Sequence, residues 1–504
     1  MKEQGFITKD EYDEAMADNV YDRISETASN TTASKPYTYF IDAVINQVVD
    51  DLVTEKSYTE TQAYNLLYSG GLTINVTQDA DIQAICDDEV ANVGDYLNGD
   101  TEYGLDYALT IHRADGSSEN YSKEQLASYI QTAWGYDTPL LYGSEEAAQE
   151  AVDAFKSTLN INEADGDTVD ERIELSPQPQ ASVVLMDQYT GQVKAIVGGR
   201  GEKTASLTFN RATDNYSQPG STFKILSAYG PALDLGKITL ATVIKDEPFN
   251  YSDGTPLQNS DLTYHGDVTV RQAIINSINI PAVKVLTELT PKVGFDYLKK
   301  LGFSKLSEEY DVIQPLALGG ITYGVSDLEL TAAYAAIADG GQYRKPVFYT
   351  KVTDSKGNVL IDNTENKATQ VFKASTASLL TNVMEDVLEK GTGVAARLDN
   401  MHAAGKTGTT NEAKDLVFAG FTPYYTCVVW GGFDDNSPQS GGQTTYPKKI
   451  WKAVMSRIHE NLPVRQFEQP DSVETAYVCK KSGLLAVDGV CTGDPRGSMA
   501  YTEY

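Results

Sequence analysis

Gln218-Pro219-Gly220-Ser221-Thr222-Phe223-Lys224 sets a serine and a lysine three residues apart, directly after a Pro-Gly turn. The apolar residues that follow or interleave, Phe223, Ile225, Leu226 and Ala228, predict a helix opening near Ser221. Residues i and i+3 share a helix face, so Lys224 stands beside Ser221. A serine hydroxyl is a weak nucleophile at neutral pH, and an amine kept neutral by desolvation or by nearby positive charge can take its proton. The helix start also offers unpaired backbone N–H groups near the point of attack. On its own, the pair reads more simply as a helix cap and a solvated lysine.

Two further elements give it company. Ser277-Ile278-Asn279 lies 56 residues after Ser221, and Lys406-Thr407-Gly408-Thr409 lies 129 residues after Ser277. Ser277 can relay a proton between Lys224 and an entering or leaving amine, and the Asn279 carboxamide can bond a substrate amide from both sides. The second stretch suits a strand edge. There Gly408 admits a peptide backbone, Thr407 and Thr409 bond a terminal carboxylate, and Lys406 supplies positive charge. The backbone N–H groups of Ser221 and Thr409 would then form an oxyanion hole.

Competing chemistries fail on the residues. A phosphate loop ending in Gly405-Lys406-Thr407 needs a glycine at position 400, which is Asn400. No Gly-x-Ser-x-Gly elbow accompanies the four scattered histidines, His112, His265, His402 and His459, which read as structural or solvent-facing. Asp434-Asp435, after two glycines, reads as a turn rather than a metal site. No metal and no cofactor are expected.

At 504 residues the chain is long enough for two or three units. Its net charge of −31 is uneven: residues 1–180 carry 36 acidic and 9 basic side chains, whereas residues 181–504 carry 35 and 31. A solvated acidic surface is the reading this favours, and the want of a visible basic stripe disfavours nucleic-acid binding. There is no run of eighteen apolar residues and no signal peptide at the start. Cys86 and Cys427, in apolar stretches, read as buried thiols, and Cys479 and Cys491 are placed for a local disulfide in an oxidising setting.

Helical spacing runs from Tyr39 to Val53, a strand is expected over Leu72–Val76, and a capping box at Thr8 and Glu11 predicts a helix near the start, followed by a loop over residues 25–37. A helix is expected over Glu145–Leu159, and residues 176–180 read as an extended joint. Beyond it, Ala181–Met186 and Gln192–Val197 predict a hairpin. Helices over Leu328–Ala338 and Ala377–Lys390 and a strand over Tyr424–Trp430 follow. Strands at both ends of a helical middle imply an α/β unit of the α+β type, with a mainly antiparallel sheet covered by helices.

Residues 180–460 resemble the transpeptidase domain of class A penicillin-binding proteins, which carry the Ser-x-x-Lys, Ser-x-Asn and Lys-Thr-Gly signature. The likeness extends to Gly198-Gly199, Phe209-Asn210-Arg211-Ala212-Thr213, Ala317-Leu318-Gly319-Gly320, Gly391-Thr392-Gly393-Val394-Ala395-Ala396 and Gly405–Asn411 running on to Asp415. It implies the penicillin-binding/β-lactamase-like transpeptidase fold. It also implies D,D-transpeptidation: Ser221 attacks the penultimate D-alanine carbonyl of a peptidoglycan stem peptide, and an amine acceptor resolves the acyl-enzyme. β-Lactams would acylate the same serine. Gln4–Tyr12 resembles the tail of the preceding glycosyltransferase module, whose body and membrane anchor are not in this sequence. The expected division is 1–70 (glycosyltransferase tail and linker helices), 71–180 (acidic linker or insertion), 181–462 (transpeptidase) and 463–504 (C-terminal extension). An extracytoplasmic position at the cell membrane or wall follows from the same likeness. A D,D-carboxypeptidase, a β-lactamase-like hydrolase and a non-catalytic penicillin-binding sensor or scaffold stay open. Against a lactamase stand the missing Glu-x-x-Leu-Asn segment and Ile278 where Asp would be expected.

Overall fold

The computed structural model describes residues 8–9, 35–97, 101–439, 444–491 and 500–503. The helix expected from Thr8, the resemblance at Gln4–Tyr12 and most of the loop at 25–37 lie outside the described residues.

Alternating and continuous apolar runs on both sides of the helical middle meet in one five-stranded antiparallel sheet. Its strands are β1 (Gln180–Asp187), β2 (Gln192–Val197), β3 (Ala404–Thr409), β4 (Asp415–Phe421) and β5 (Thr426–Gly432), in the spatial order β3-β4-β5-β1-β2. The expected hairpin is β1–β2, with Val183 opposite Val197. β5 joins the other side of β1, with Val428 opposite Val184. Strands β4 and β5 are buried at every residue, so helices cover both faces of the sheet's centre. β3 is an edge strand, paired only to β4, with Lys406 opposite Ala419 and Gly408 opposite Val417.

The helices that matter for the site are α1 (residues 220–234), α2 (Val270–Ile275), α3 (Asn279–Leu289), α4 (Asp327–Ala338), α5 (Ala374–Lys390) and α6 (Tyr446–Ile458). α4 opens with a capping box in which Ser326 Oγ accepts from the Glu329 N–H and Glu329 Oε2 accepts from the Ser326 N–H. On α6, Trp451 sits edge-on to Phe418 of β4 at 5.1 Å.

A separate four-stranded sheet forms over residues 102–178. Glu102–His112 alternates buried and half-buried positions and pairs along its whole length with Thr168–Gln178. Helices Lys123–Trp134 and Glu145–Ser157 cover it around Leu105, Tyr107, Leu109, Leu126, Ile130 and Phe155. The extended joint expected at 176–180 is therefore paired strand, with Pro177 opposite Tyr103, leading straight into β1. The pairing partner lies 74 residues earlier, so local composition did not show it. Residues 73–97 side with the larger unit. Thr73–Val76 pairs with Tyr349–Thr353, and the helix Ala80–Ala91 gives Ile82, Cys86 and Val90 to the main core.

The expected N-terminal helix spans Tyr39–Lys56, capped by Thr38, with Phe40, Val44, Val48 and Leu52 packed against Phe348 and Val352. At the far end Ala476–Cys479 pairs with Ala500–Glu503, and buried Glu503 accepts from Arg271 of α2. Cys86 and Cys427 are buried thiols, and Cys479 and Cys491 are separate thiols. No helix among the described residues is long and apolar enough to cross a membrane.

Candidate active site

Helix α1 is not a uniform helix. It begins with a 3₁₀ turn at Gly220–Thr222, widens to a π-helical stretch at Lys224–Tyr229 and ends in α-helix at Gly230–Asp234. Such widened turns recur at functional sites. Here two side chains pin the turn: Tyr334 of α4 donates to the Thr222 carbonyl at 2.9 Å, and Ser227 Oγ, within α1 itself, donates to the carbonyls of Phe223 and Leu316. Ser221 alone in this stretch is half-buried, and its hydroxyl has no hydrogen-bond partner among the described residues, whereas Thr222 to Tyr229 are buried.

Lys224 and Ser277 meet as the sequence predicts. Lys224 Nζ donates to the Ser277 carbonyl at 2.5 Å, to Ser277 Oγ at 3.2 Å and to Asn279 Oδ1 at 2.6 Å. Ser277 achieves this by taking a left-handed backbone conformation, φ +55°, between α2 and α3. That conformation is uncommon for a residue with a Cβ, costs on the order of 1 kcal/mol, and turns both oxygens of Ser277 to one amine. Lys406 approaches Ser277 from the other side, donating to Oγ at 2.8 Å and to the Thr407 carbonyl at 3.1 Å. Ser277 Oγ thus bridges the two lysines. Asn279 is engaged at both ends, Oδ1 by Lys224 and Nδ2 by the Gln258 carbonyl at 2.9 Å, so a substrate amide would compete with those bonds.

Strand alternation sorts β3. Lys406 and Gly408 point inward and are buried, while half-buried Thr407 and exposed Thr409 share the other face. The Thr407 hydroxyl shares a hydrogen bond of 2.8 Å with that of Thr392. Gly408 has a packing role that the sequence reading did not give it. A Cβ there would stand 2.4 Å from the Pro219 carbonyl oxygen and 3.0 Å from the Thr222 methyl. Gly220 answers it from the other side: at φ +54° its own Cβ would fall 2.7 Å from the Thr409 carbonyl oxygen. Glycines on both segments therefore let the edge of β3 lie against the turn that carries Ser221. A cavity of about 570 Å³, lined by Tyr216, Gln218, Tyr323, Thr410 and Trp430 among others, opens beside that contact.

The electrostatics follow from burial. Lys224 and Lys406 are both inaccessible to solvent, and neither has an acidic partner within ion-pair reach among the described residues. Desolvation, and next the Lys406 charge, hold the Lys224 amine well below its ordinary value. Desolvation, and next Lys448, bring Lys406 down to about 7. A lysine whose charged form is disfavoured by burial, one turn along the helix from half-buried Ser221, is equipped to take that serine's proton once it has given up its own, and the serine between two lysines is equipped to pass it on.

The site also uses residues without an assigned role in the sequence. Thr392, Lys448 and Tyr334 act through the contacts above; Thr392 lies in the Gly391–Ala396 stretch, which carried the resemblance but no stated job. The histidines stay away from the site: His112, His265 and His402 are exposed, and His459 is buried against Thr422.

Known proteins resemble this chain in sequence and in fold. Residues 181–456 match the model of the penicillin binding protein transpeptidase domain. Penicillin-binding protein 1A of Clostridium botulinum is 31% identical over 516 residues, covering 100% of this chain and 53% of the relative. The chain thus spans about half the length of such curated relatives. Among solved structures, penicillin-binding protein 1A from Haemophilus influenzae superposes with a TM-score of 0.63 at 19% identity, covering 100% of this chain and 80% of that one. PonA1 of Mycobacterium tuberculosis, in complex with penicillin V, does so with 0.61 at 21% identity, covering 86% and 96%. These likenesses fix the fold, and the family match covers more than half of the chain and every residue of the site: this protein belongs to the penicillin-binding protein transpeptidase family.

Proposed function

We propose that the chain is a serine D,D-transpeptidase that cross-links peptidoglycan stem peptides. The observation that carries this is the buried, acid-free Lys224 amine, held on Ser277 and one helical turn from the half-buried Ser221 hydroxyl. Ser221 Oγ bonds to the carbonyl carbon of a D-Ala-D-Ala donor while its proton goes to neutral Lys224. The negative oxygen that develops faces the backbone N–H groups of Ser221 and Thr409. Ser277 then delivers the proton to the nitrogen of the departing D-alanine as the peptide bond breaks. An acceptor amine reverses the sequence: it attacks the acyl carbon, gives its proton back through Ser277 and Lys224, and frees Ser221. Lys406, Thr407 and Thr409 hold the donor's terminal carboxylate, and Asn279 lies along the donor peptide.

A β-lactam presents a strained amide and a carboxylate to the same groups, which supports acylation of Ser221 by penicillins. By the same likeness the protein works on the extracytoplasmic face of the bacterial membrane, its parent tethered by a preceding segment. The test is to incubate the protein with a D-Ala-D-Ala-terminated pentapeptide and an amine acceptor. Release of D-alanine with formation of the cross-linked product is expected, and Ser221→Ala abolishes both. Hydrolysed peptide alone would assign a carboxypeptidase, rapid turnover of penicillin a lactamase, and no reaction with either a non-catalytic protein.

A further inference from the structure

Helix α3 lacks a cap of its own. The N-cap position is occupied by Ile278, whose side chain cannot accept a hydrogen bond, and no local side chain replaces it. The bonds come from a loop 20 residues earlier in the chain. Asn259 Oδ1 accepts from the N–H of Asn279 at 3.0 Å and from that of Ile280 at 3.2 Å. The Asn259 carboxamide cannot turn over, because Nδ2 donates to both oxygens of Asp246, at 3.0 and 2.9 Å, and to the Thr263 carbonyl at 2.8 Å. Flipping it would set an oxygen against a carboxylate and an NH₂ against two N–H groups. Asp246 is itself buried and takes a further bond from the His265 N–H at 2.8 Å.

These bonds end on Ser277-Ile278-Asn279. The left-handed turn at Ser277 and the first residue of α3 aim the Ser277 carbonyl, Ser277 Oγ and Asn279 Oδ1 at Lys224. The neighbouring Gln258 carbonyl holds Asn279 Nδ2 from the same loop. We propose that Asn259, oriented by buried Asp246, is a positioning residue for acylation: it caps α3 from outside the helix and so fixes Ser277 and Asn279 on the Lys224 amine. The inference rests on the transpeptidase reading above only for its consequence on rate; the capping geometry stands apart from it.

Two measurements separate the two. Amide hydrogen exchange at Asn279 and Ile280 should speed up about tenfold or more in Asn259→Ala, in keeping with the loss of two buried bonds, whatever the protein's activity. In parallel, acylation by a fluorescent penicillin is followed over a range of concentrations to separate affinity from the first-order acylation step. Asn259→Ala should slow that step about tenfold or more, leave affinity within about twofold and leave the final labelled fraction unchanged. A merely structural Asn259 would instead lower the labelled fraction while the surviving molecules react at the wild-type rate, which overturns the proposal. So would unchanged exchange at Asn279 and Ile280. Wild type that takes no label at all, with exchange behaving as predicted, would defeat the transpeptidase reading and leave the cap standing.

Discussion

Substituting Gly408 by alanine adds one methyl group at the contact between β3 and the turn carrying Ser221. Its Cβ would stand 2.4 Å from the Pro219 carbonyl oxygen, 3.0 Å from Thr222 Cγ2 and 3.2 Å from Val417 Cβ, where ordinary contact begins at 3.4 Å. The oxygen is backbone, inside a turn fixed by Tyr334, so it cannot rotate away. β3 must retreat by about 1 Å, which carries the Thr409 N–H away from Ser221 and loosens Lys406 from Ser277. Misplacement of about 1 Å costs on the order of 10²-fold in rate, and overpacking of this kind about 1–3 kcal/mol in stability. The assay is the time course of covalent labelling by a fluorescent penicillin, with thermal unfolding measured on the same samples. Gly408→Ala should fold, unfold a few degrees lower and acylate about 10²-fold more slowly. Labelling at the wild-type rate would refute the reasoning, because it would show that neither the close contact nor the placement of Thr409 controls the reaction.

Lys224→Ala should leave a folded protein whose penicillin acylation is slowed about 10²-fold or more, the usual share of a general base; an unchanged rate would make Lys224 structural. Lys406 is held down to about 7, so the folded state binds fewer protons than the unfolded chain between that pH and the ordinary lysine range, and folding gains stability as pH rises through this window. Thermal unfolding of wild type relative to Lys406→Met should therefore improve from pH 7 to about pH 9. Asp327 behaves oppositely. Buried beside Ser182 Oγ, its carboxyl is pushed up to about 8, so its contribution is present at low pH and lost as pH rises toward that value. The advantage of Asp327→Asn in melting temperature should grow from about pH 5 to about pH 8 and then level off.

What the sequence revealed was local. The β1–β2 hairpin, the helices at Tyr39, Asp327 and Ala374 and the meeting of Ser221's helix with Ser277 and Lys406 all depend on spacings of a few residues or on a motif. What it concealed depends on partners far apart in the chain. Pro177 looked like part of a joint because Tyr103, which it faces, is remote. Gly408 suggested room for a substrate because nothing in its own stretch announces the Pro219 carbonyl. Asn259 carries no signal at all: one amide in a polar loop looks like any other until the uncapped start of α3 is placed beside it. The irregular widening of α1 was likewise hidden: its Ser227 bonds to the Leu316 carbonyl, 89 residues away, which nothing in the local sequence announces.

The most direct test of the proposed chemistry is to incubate the folded protein with penicillin, digest it and locate the adduct by mass spectrometry. One penicilloyl group on the peptide containing Ser221, absent in Ser221→Ala, is the predicted result. An adduct on another residue, or none on protein shown to be folded, would contradict the assignment of Ser221 as nucleophile.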